Sequence, residues 1–152
     1  ENIVGWKFKS RALLAQAITH HSCHMVINGT IIIQCNEKLE HLGDKVIGLA
    51  LGEFLHSKYP DQTEGFYSQV MVPCLSNTCL TDIAKSLGLD KYLATHKVAL
   101  LSKTVHADTF EAICGALHHD GDTKAVEGFL TRSLYPQAEK IVCERKLLKK
   151  KI

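Results

Sequence analysis

The sequence predicts a single all-α domain. Apolar residues recur every three or four positions through most of the chain, which is the spacing of one helix face. Glycine and proline residues divide these periodic stretches into segments of roughly 10 to 20 residues, as in globular helices. A length of 152 residues fits one domain with a sizeable core.

The first part of the chain contains two predicted helices and a short hairpin. Ser10 is a candidate N-cap for an opening helix, which the apolar spacing extends to about His21. Asn28-Gly29 stands between apolar β-branched residues in the segment 25–33, which predicts a small β-hairpin or loop. Residues 36–59 are expected to form one long helix with an apolar face, ended by Tyr59-Pro60.

Two shorter helices and a connector follow this long helix. The first is expected over 64–75, with a bend at Pro73, because a proline removes a backbone donor and crowds the preceding turn. The second is expected over 77–87 and is closed by Gly88, a residue that favours helix C-termini. Residues 89–102 lack a clear period and are interpreted as the connector.

The last part of the chain contains two more predicted helices. One covers residues 104–119 and ends near Asp120-Gly121-Asp122, a run of turn-forming residues. The other covers residues 123–142 and is interrupted at Pro136. With these helices the predicted architecture is helical from end to end, apart from the hairpin at 25–33.

Two acidic pairs stand on different predicted helices. Glu40 and Asp44 are spaced i,i+4, and Asp108 and Glu111 are spaced i,i+3, so each pair lies on one helix face. Like charges at this spacing cost each helix roughly a few tenths of a kcal/mol, and Lys45 is expected to point away from its neighbouring pair. Four carboxylates converging from two helices predict a site for a hard divalent ion, and magnesium fits best.

Charge is unevenly distributed along the chain. Subtracting the five basic residues of 145–152 from the formal net charge of +2 leaves −3 for residues 1–144. We therefore expect a domain over 1–144 and a basic tail or linker over 145–152.

No apolar run approaches the roughly 18 residues that a membrane span needs. No membrane partner is therefore expected. The six cysteines form no C-x-x-C pair, and such a set favours a reduced, intracellular protein.

The two acidic segments resemble motifs of the ribonuclease III family. Residues 36–44, Asn-Glu-Lys-Leu-Glu-His-Leu-Gly-Asp, resemble the family signature, and residues 107–112, Ala-Asp-Thr-Phe-Glu-Ala, resemble its second acidic motif. Residues 8–22 look like the family's opening helix, and residues 64–84 look like its middle helices. Because four motifs agree in order and spacing over about residues 5–130, the chain is identified as a member of this family.

The resemblance implies a helical, homodimeric nuclease domain over residues 1–144 that cuts double-stranded RNA. It implies Mg²⁺ as the cofactor, with Mn²⁺ expected to substitute, and products with a 5′-phosphate, a 3′-hydroxyl and short 3′ overhangs. Carried over position by position, the resemblance makes four residues both catalytic and metal-binding: Glu40, Asp44, Asp108 and Glu111.

Further roles follow from the same resemblance. Glu37 and Glu64 match acidic positions of the family pattern. They are expected to orient the metal ligands without binding the metal themselves. His41 stands where the family usually has an aromatic ring that packs across the dimer interface, so dimerisation is expected to depend on pH. The basic tail, with Lys149, Lys150 and Lys151, is either an RNA-binding segment, a linker to a further domain or a solvated end.

Several alternatives stay open at this point. The domain could be a catalytically idle RNA-binding or scaffold subunit, although such relatives usually lack acidic residues that are present here, or it could be one half of a heterodimeric nuclease. The apolar segment 25–33 either binds a protein partner or packs against its own domain. A zinc site at His20, His21, Cys23 and His24 is the less favoured interpretation of that cluster.

Overall fold

A computed structural model describes residues 1–23, 25–96, 104–145 and 147 of the chain. The described part is helical except for one two-stranded antiparallel hairpin, so the all-α prediction is confirmed. The α-helices and strands, in chain order, are α1 Arg11–Ala17, β1 Met25–Ile27, β2 Thr30–Ile33, α2 Glu37–Lys58, α3 Glu64–Cys74, α4 Asn77–Ser86, α5 Val105–Ser133 and α6 Tyr135–Glu144.

Helices α2 and α5 cross closely at two glycines, and this crossing organises the domain. A Cβ atom at Gly43 would overlap the backbone oxygen of Glu111, and one at Gly115 would overlap the backbone oxygen of Leu39. Moving forward along α2 therefore means moving backward along α5, so the two helices run antiparallel. Only glycine permits such backbone contact, and the contact brings the first turns of α2 beside the acidic start of α5.

The hydrophobic core surrounds helix α5. Large side chains that are fully withdrawn from solvent come from α2, α4, α5 and the junction between α5 and α6, namely Ile47, Leu51, Leu55, Leu80, Phe110, Ile113, Leu117, Phe129, Leu130 and Leu134. Phe110 and Phe129 contact each other, with ring centroids 5.2 Å apart. Cys114 is also fully buried, which confirms the interpretation of this cysteine as a core residue. Burial of these side chains supplies most of the free energy that holds α5 in place.

Helix α5 is broken where the sequence predicts a break. Gly121 and Asp122 have non-helical backbone angles, and Asp122 lies in the left-handed region with φ of 55°. The preceding Asp120 binds the start of the chain: its carboxylate accepts hydrogen bonds from Trp6 Nε1 at 2.8 Å and from the backbone N–H of Lys9 at 2.9 Å. It also accepts from the backbone N–H of Ser10 at 3.0 Å. The break thus fastens the N-terminal segment to the end of the acidic half of α5.

The hairpin predicted for residues 25–33 is confirmed. Its turn residues Asn28 and Gly29 both have positive φ, 49° and 76°, as the tightest hairpin turns require. The strands pair with Met25 opposite Ile33 and Ile27 opposite Thr30. Met25 and Ile27 are 46% and 51% exposed, which leaves part of their apolar surface open to solvent.

Helix α1 is shorter than its apolar spacing predicts. It ends at Ala17, because the chain beyond it pairs with a distant segment instead of continuing the helix: Ala94 N donates to Ile18 O, and His20 N donates to Ala94 O, both at 2.9 Å. A short 3₁₀ turn, His21–Cys23, follows. Ser10 occupies the N-cap position of α1, but its side chain makes no capping hydrogen bond.

The remaining helix boundaries agree closely with the predicted ones. Thr63 and Ser76 cap α3 and α4 through hydrogen bonds from Phe66 N at 3.4 Å and Cys79 N at 3.2 Å. Pro73 lies in the last turn of α3. The connector contains a second 3₁₀ turn, Leu89–Lys91, and its residues 97–102 lie outside the described part of the chain. Among the residues that the structure describes, no helix combines the length and apolar character needed to cross a membrane.

Candidate metal centre

The acidic residues predicted to act together come from the crossing of α2 and α5. Glu40 lies in the first turn of α2, and Asp108 lies in the first turn of α5. Glu111 is the residue whose backbone touches Gly43, so its side chain leaves α5 directly beside α2. The close glycine contact therefore places carboxylates from both helices in the same small volume.

Three of the four predicted carboxylates form a compact group. Glu40, Asp108 and Glu111 each offer one carboxylate oxygen, and these atoms all lie within 4.8 Å of one another. All three residues are half-buried. Oxygen donors at such separations suit Mg²⁺ or Mn²⁺, which bind through a few carboxylates and keep several waters. The donor set of the described residues therefore fits a hard divalent ion.

The electrostatics of this group favour a bound cation or bound protons. Burial is the largest cause that raises the pKa of Glu111, to about 7, and the charges of Asp44, Glu40 and Asp108 raise it further. Burial, followed by the charge of Asp108, also raises the pKa of Glu40. The pKa of Asp108 is raised by burial as well. A divalent ion would offset the repulsion among these three carboxylates and so favour their ionised forms.

Asp44, the fourth predicted ligand, lies outside this group. Its Oδ2 atom forms an ion pair with Lys45 Nζ at 2.7 Å, and the two side chains are 50% and 69% exposed. The expectation that Lys45 points away from Asp44 was wrong. Adjacent residues diverge by about 100° around a helix, but the long lysine stem can bend back to its neighbour when both side chains reach solvent. Asp44 nevertheless acts on the site, because its charge raises the pKa of Glu111.

The supporting acids predicted by the sequence differ in position. Glu37 lies one turn before Glu40 and raises the pKa of that residue through its charge, so it stands beside the group. Its Oε2 atom accepts a weak hydrogen bond from the Cys35 thiol at 3.6 Å. Glu64 instead begins α3 and accepts a hydrogen bond from Ser68 Oγ at 2.9 Å. Within the described ranges, Glu64 is not a member of the acidic group.

Two features of the site were missed by sequence reasoning. Thr104 donates a side-chain hydrogen bond to Asp108 that opposes the rise in its pKa, and a hydroxyl four residues before an acid was the available signal. His20 and His21 lie close enough for their charges to act on Asp108 as well. Their rings are 3.9 Å apart, and Ser22 Oγ lies 3.0 Å from His20 Nδ1. Only the fold, which turns the chain back after α1, brings these imidazoles to the acids.

The other predicted site residues that the structure describes are not members of the acidic group. His41 is exposed on α2, as a residue at an interface between subunits would be in a single subunit. His20, His21 and Cys23 do not form a metal site: within the described part of the chain, the acidic group is the sole cluster of three or more His, Cys, Asp or Glu side chains with donor atoms this close. His24 and the tail lysines Lys149, Lys150 and Lys151 lie outside the described residues.

Comparisons with known proteins agree with this fold. A family model described as Ribonuclease-III-like matches residues 10–138. Ribonuclease 3 of Bdellovibrio bacteriovorus is 36% identical over 93% of this chain and 62% of the relative, and Ribonuclease 3 of Treponema pallidum is 35% identical over 93% of this chain and 58% of the relative. The chain thus spans about three fifths of the length of these curated relatives.

A solved structure extends the agreement to three dimensions. The nuclease domain of ribonuclease III from Campylobacter jejuni superposes with a TM-score of 0.76 and 28% sequence identity, covering 92% of this chain and 94% of that domain. That protein is described as having structural flexibility in a region involved in dimer formation. The matched family model covers most of the chain, and the relatives exceed 30% identity. The chain therefore belongs to the ribonuclease-III-like family and has the fold of its nuclease domain.

Proposed function

We propose that this chain is the nuclease domain of a magnesium-dependent endoribonuclease that cuts double-stranded RNA. The products would carry a 5′-phosphate, a 3′-hydroxyl and short 3′ overhangs. The observation that carries the proposal is the group formed by Glu40, Asp108 and Glu111, whose oxygens lie within 4.8 Å of one another. These are three of the positions to which the family resemblance assigns metal binding and catalysis, and the chemistry of the group fits that assignment.

The chain's own residues have distinct tasks in this proposal. Glu40, Asp108 and Glu111 would hold the divalent ion, and Thr104 would orient Asp108 through its hydrogen bond. A bound Mg²⁺ or Mn²⁺ would supply positive charge to the scissile phosphate and make an attacking water easier to deprotonate. Glu111, with its pKa near 7, needs the ion most in order to ionise fully at neutral pH.

We further propose that the working unit is a homodimer. Leu49 of α2 and Val72 of α3 are apolar yet 64% and 72% exposed, and their sequence neighbours Gly52 and Met71 lie close together where α2 meets α3. Exposed apolar side chains beside such a contact favour burial by a second subunit. His41, on the same helix, is proposed to take part in that interface. Sedimentation of the wild type and of Leu49→Glu would test this, since the variant should be monomeric if Leu49 is buried between subunits.

The proposal extends to the segments at either end of the site. Residues 1–144 would form the nuclease domain, and residues 145–152 would act as a basic tail or linker, whose lysines 149–151 contact RNA phosphates. The exposed hairpin residues Met25 and Ile27 support a protein partner at 25–33. Glu37 and Glu64 are proposed to support the metal ligands; Glu37 acts on Glu40 through its charge, and Glu64 accepts a hydrogen bond from Ser68.

The decisive experiment is cleavage of a long, end-labelled RNA duplex with and without Mg²⁺. We expect metal-dependent cutting to products with short 3′ overhangs, lost in Glu111→Gln and kept in Glu53→Gln, which alters an exposed glutamate of α2 away from the acidic group. Intact duplex in the presence of folded, dimeric protein would reject the proposal in favour of an idle subunit. Cutting that appears only after a cell extract is added would favour a heterodimeric nuclease.

A further inference from the structure

Lys45 places a positive charge directly beside the acidic group. Its Nζ atom is 2.7 Å from Asp44 Oδ2, and this contact is the largest cause that raises the pKa of the lysine. The charge of Glu111 raises that pKa further, and the lysine in turn lowers the pKa of Glu111. Lys45 is therefore within electrostatic reach of a residue of the acidic group as well as of its own neighbour.

The backbone contact between α2 and α5 independently places Lys45 near the acidic group. Gly43 lies against the backbone of Glu111, so Asp44 and Lys45 leave α2 immediately beside the helix crossing that holds the acidic group. The Lys45 side chain is 69% exposed, whereas the three grouped carboxylates are half-buried. The ammonium is therefore exposed to solvent near the group.

We propose that Lys45 is a substrate-contacting residue, whose ammonium binds a phosphate oxygen of the RNA strand at the rim of the acidic group. This inference rests on the proposed function, since it concerns the substrate of the same site. An ammonium has three N–H donors, and Asp44 accepts from one of them, so the others are free to reach a phosphate oxygen. The ion pair holds the flexible lysine stem at the site before substrate arrives.

The charge of the site explains why such a cation is needed. Asp44, Glu40, Asp108 and Glu111 together oppose the approach of a polyanion, and residues 1–144 carry a formal charge of −3. A lysine bound to phosphate would offset part of that repulsion without occupying a ligand position of the metal. The same cation repels a divalent ion, so Lys45 is expected to weaken metal binding while strengthening RNA binding. The effect on RNA binding distinguishes a substrate contact from a merely structural ion pair, since any cation at this position would weaken metal binding.

The test compares RNA binding in a background that does not cut. Fluorescence anisotropy would measure the affinity of Glu111→Gln and of Glu111→Gln with Lys45→Ala for a labelled RNA duplex, in Mg²⁺ and across a range of salt concentrations. Removing Lys45 should lower the affinity by roughly two- to tenfold and make the slope of log affinity against log salt shallower by about one. Lys45→Arg should restore both values. Lys124→Ala, which removes an exposed lysine from the far half of α5, is the matched control and should change neither value.

A second measurement needs no RNA. Calorimetric titration of the metal-free protein with Mn²⁺ should give a dissociation constant roughly two- to fivefold lower for Lys45→Ala than for the wild type, because a neighbouring cation is gone. An unchanged salt slope and unchanged duplex affinity in the lysine variant would overturn the proposal, even if the wild type proves to be an active nuclease. Conversely, a wild type that binds duplex through Lys45 but does not cut would leave this inference standing and reject the nuclease function.

Discussion

Gly43 and Glu111 touch through their backbones at the crossing of α2 and α5, so closely that a methyl group on residue 43 would overlap the Glu111 carbonyl oxygen. This contact sets the distance between two helices, and it also sets the distance between their acidic side chains. Stability and the geometry of the site therefore depend on the same few atoms.

Gly43→Ala is expected to destabilise the protein by about 1–3 kcal/mol, because the added methyl group must push two packed helices apart. Gly48→Ala is the control on the same helix: no atom lies within 4 Å of its new Cβ. There the gain in helix propensity should stabilise by about 0.5–1 kcal/mol. Urea denaturation measures both free energies of unfolding. Equal effects of the two substitutions would contradict the close contact.

The stability of the metal-free protein should fall as the pH rises. The folded-state pKa of Glu111, about 7, exceeds the ordinary value of 4.5, so this group contributes most below pH 4.5, and its contribution is lost as the pH rises through 7. At pH 8, Glu111→Gln should therefore unfold at a higher urea concentration than the wild type. Its free energy of unfolding should be larger by roughly 1 kcal/mol, after allowance for solvent screening. The two should differ little at pH 5. Glu53→Gln should show no such pH-dependent difference.

Divalent ions should stabilise the fold through the acidic group. Mg²⁺ or Mn²⁺ at ten times its dissociation constant is expected to add about 1.4 kcal/mol, because it binds the folded chain and not the unfolded one. Thermal unfolding with the metal, compared with sodium chloride of equal ionic strength, measures the effect. In Glu111→Gln the metal-induced rise in melting temperature should largely disappear. A rise of the same size in that variant would place the ion elsewhere.

The hydrogen bond from Trp6 to Asp120 gives a direct probe of the N-terminal segment. Trp6 is the only tryptophan of the sequence, so tryptophan fluorescence reports the surroundings of this one ring. Asp120→Ala removes the acceptor for three N–H groups and should shift the emission to longer wavelength while lowering the stability. Asp61→Ala, at an exposed position, should leave both unchanged. An unshifted spectrum in Asp120→Ala would mean that Trp6 is held by packing instead.

Local signals in the sequence predicted most of the fold. The Asn28-Gly29 turn, the end of α4 at Gly88 and the break at Gly121 each depend on a residue's own backbone preferences, and all were found near the predicted places. The end of α1 was misplaced, because it is decided by pairing with Ala94, far along the chain. No periodicity within residues 10–21 carries that information.

In the candidate site, too, some features were predicted from the sequence and others depend on the folded chain. Spacing and resemblance identified Glu40, Asp108 and Glu111, which the helix crossing brings together. The sequence did not foresee that Lys45 bends back to Asp44, because helical spacing fixes where a stem starts and not where a long side chain ends. The contribution of His20 and His21 was hidden for a different reason, since it depends on a turn outside any helix.

The crossing of α2 and α5 also has a consequence for the order of events during synthesis. Glu40 and Glu111 are separated by roughly 70 residues, and contacts between such distant parts of a chain form only after the intervening loop has closed. While α2 has left the ribosome and α5 has not, Gly43 has no partner and the carboxylate of Glu40 remains in water. The nascent chain therefore has no metal-binding group until α5 emerges and docks. A prematurely released fragment would contain residues 36–44 but could not form that group.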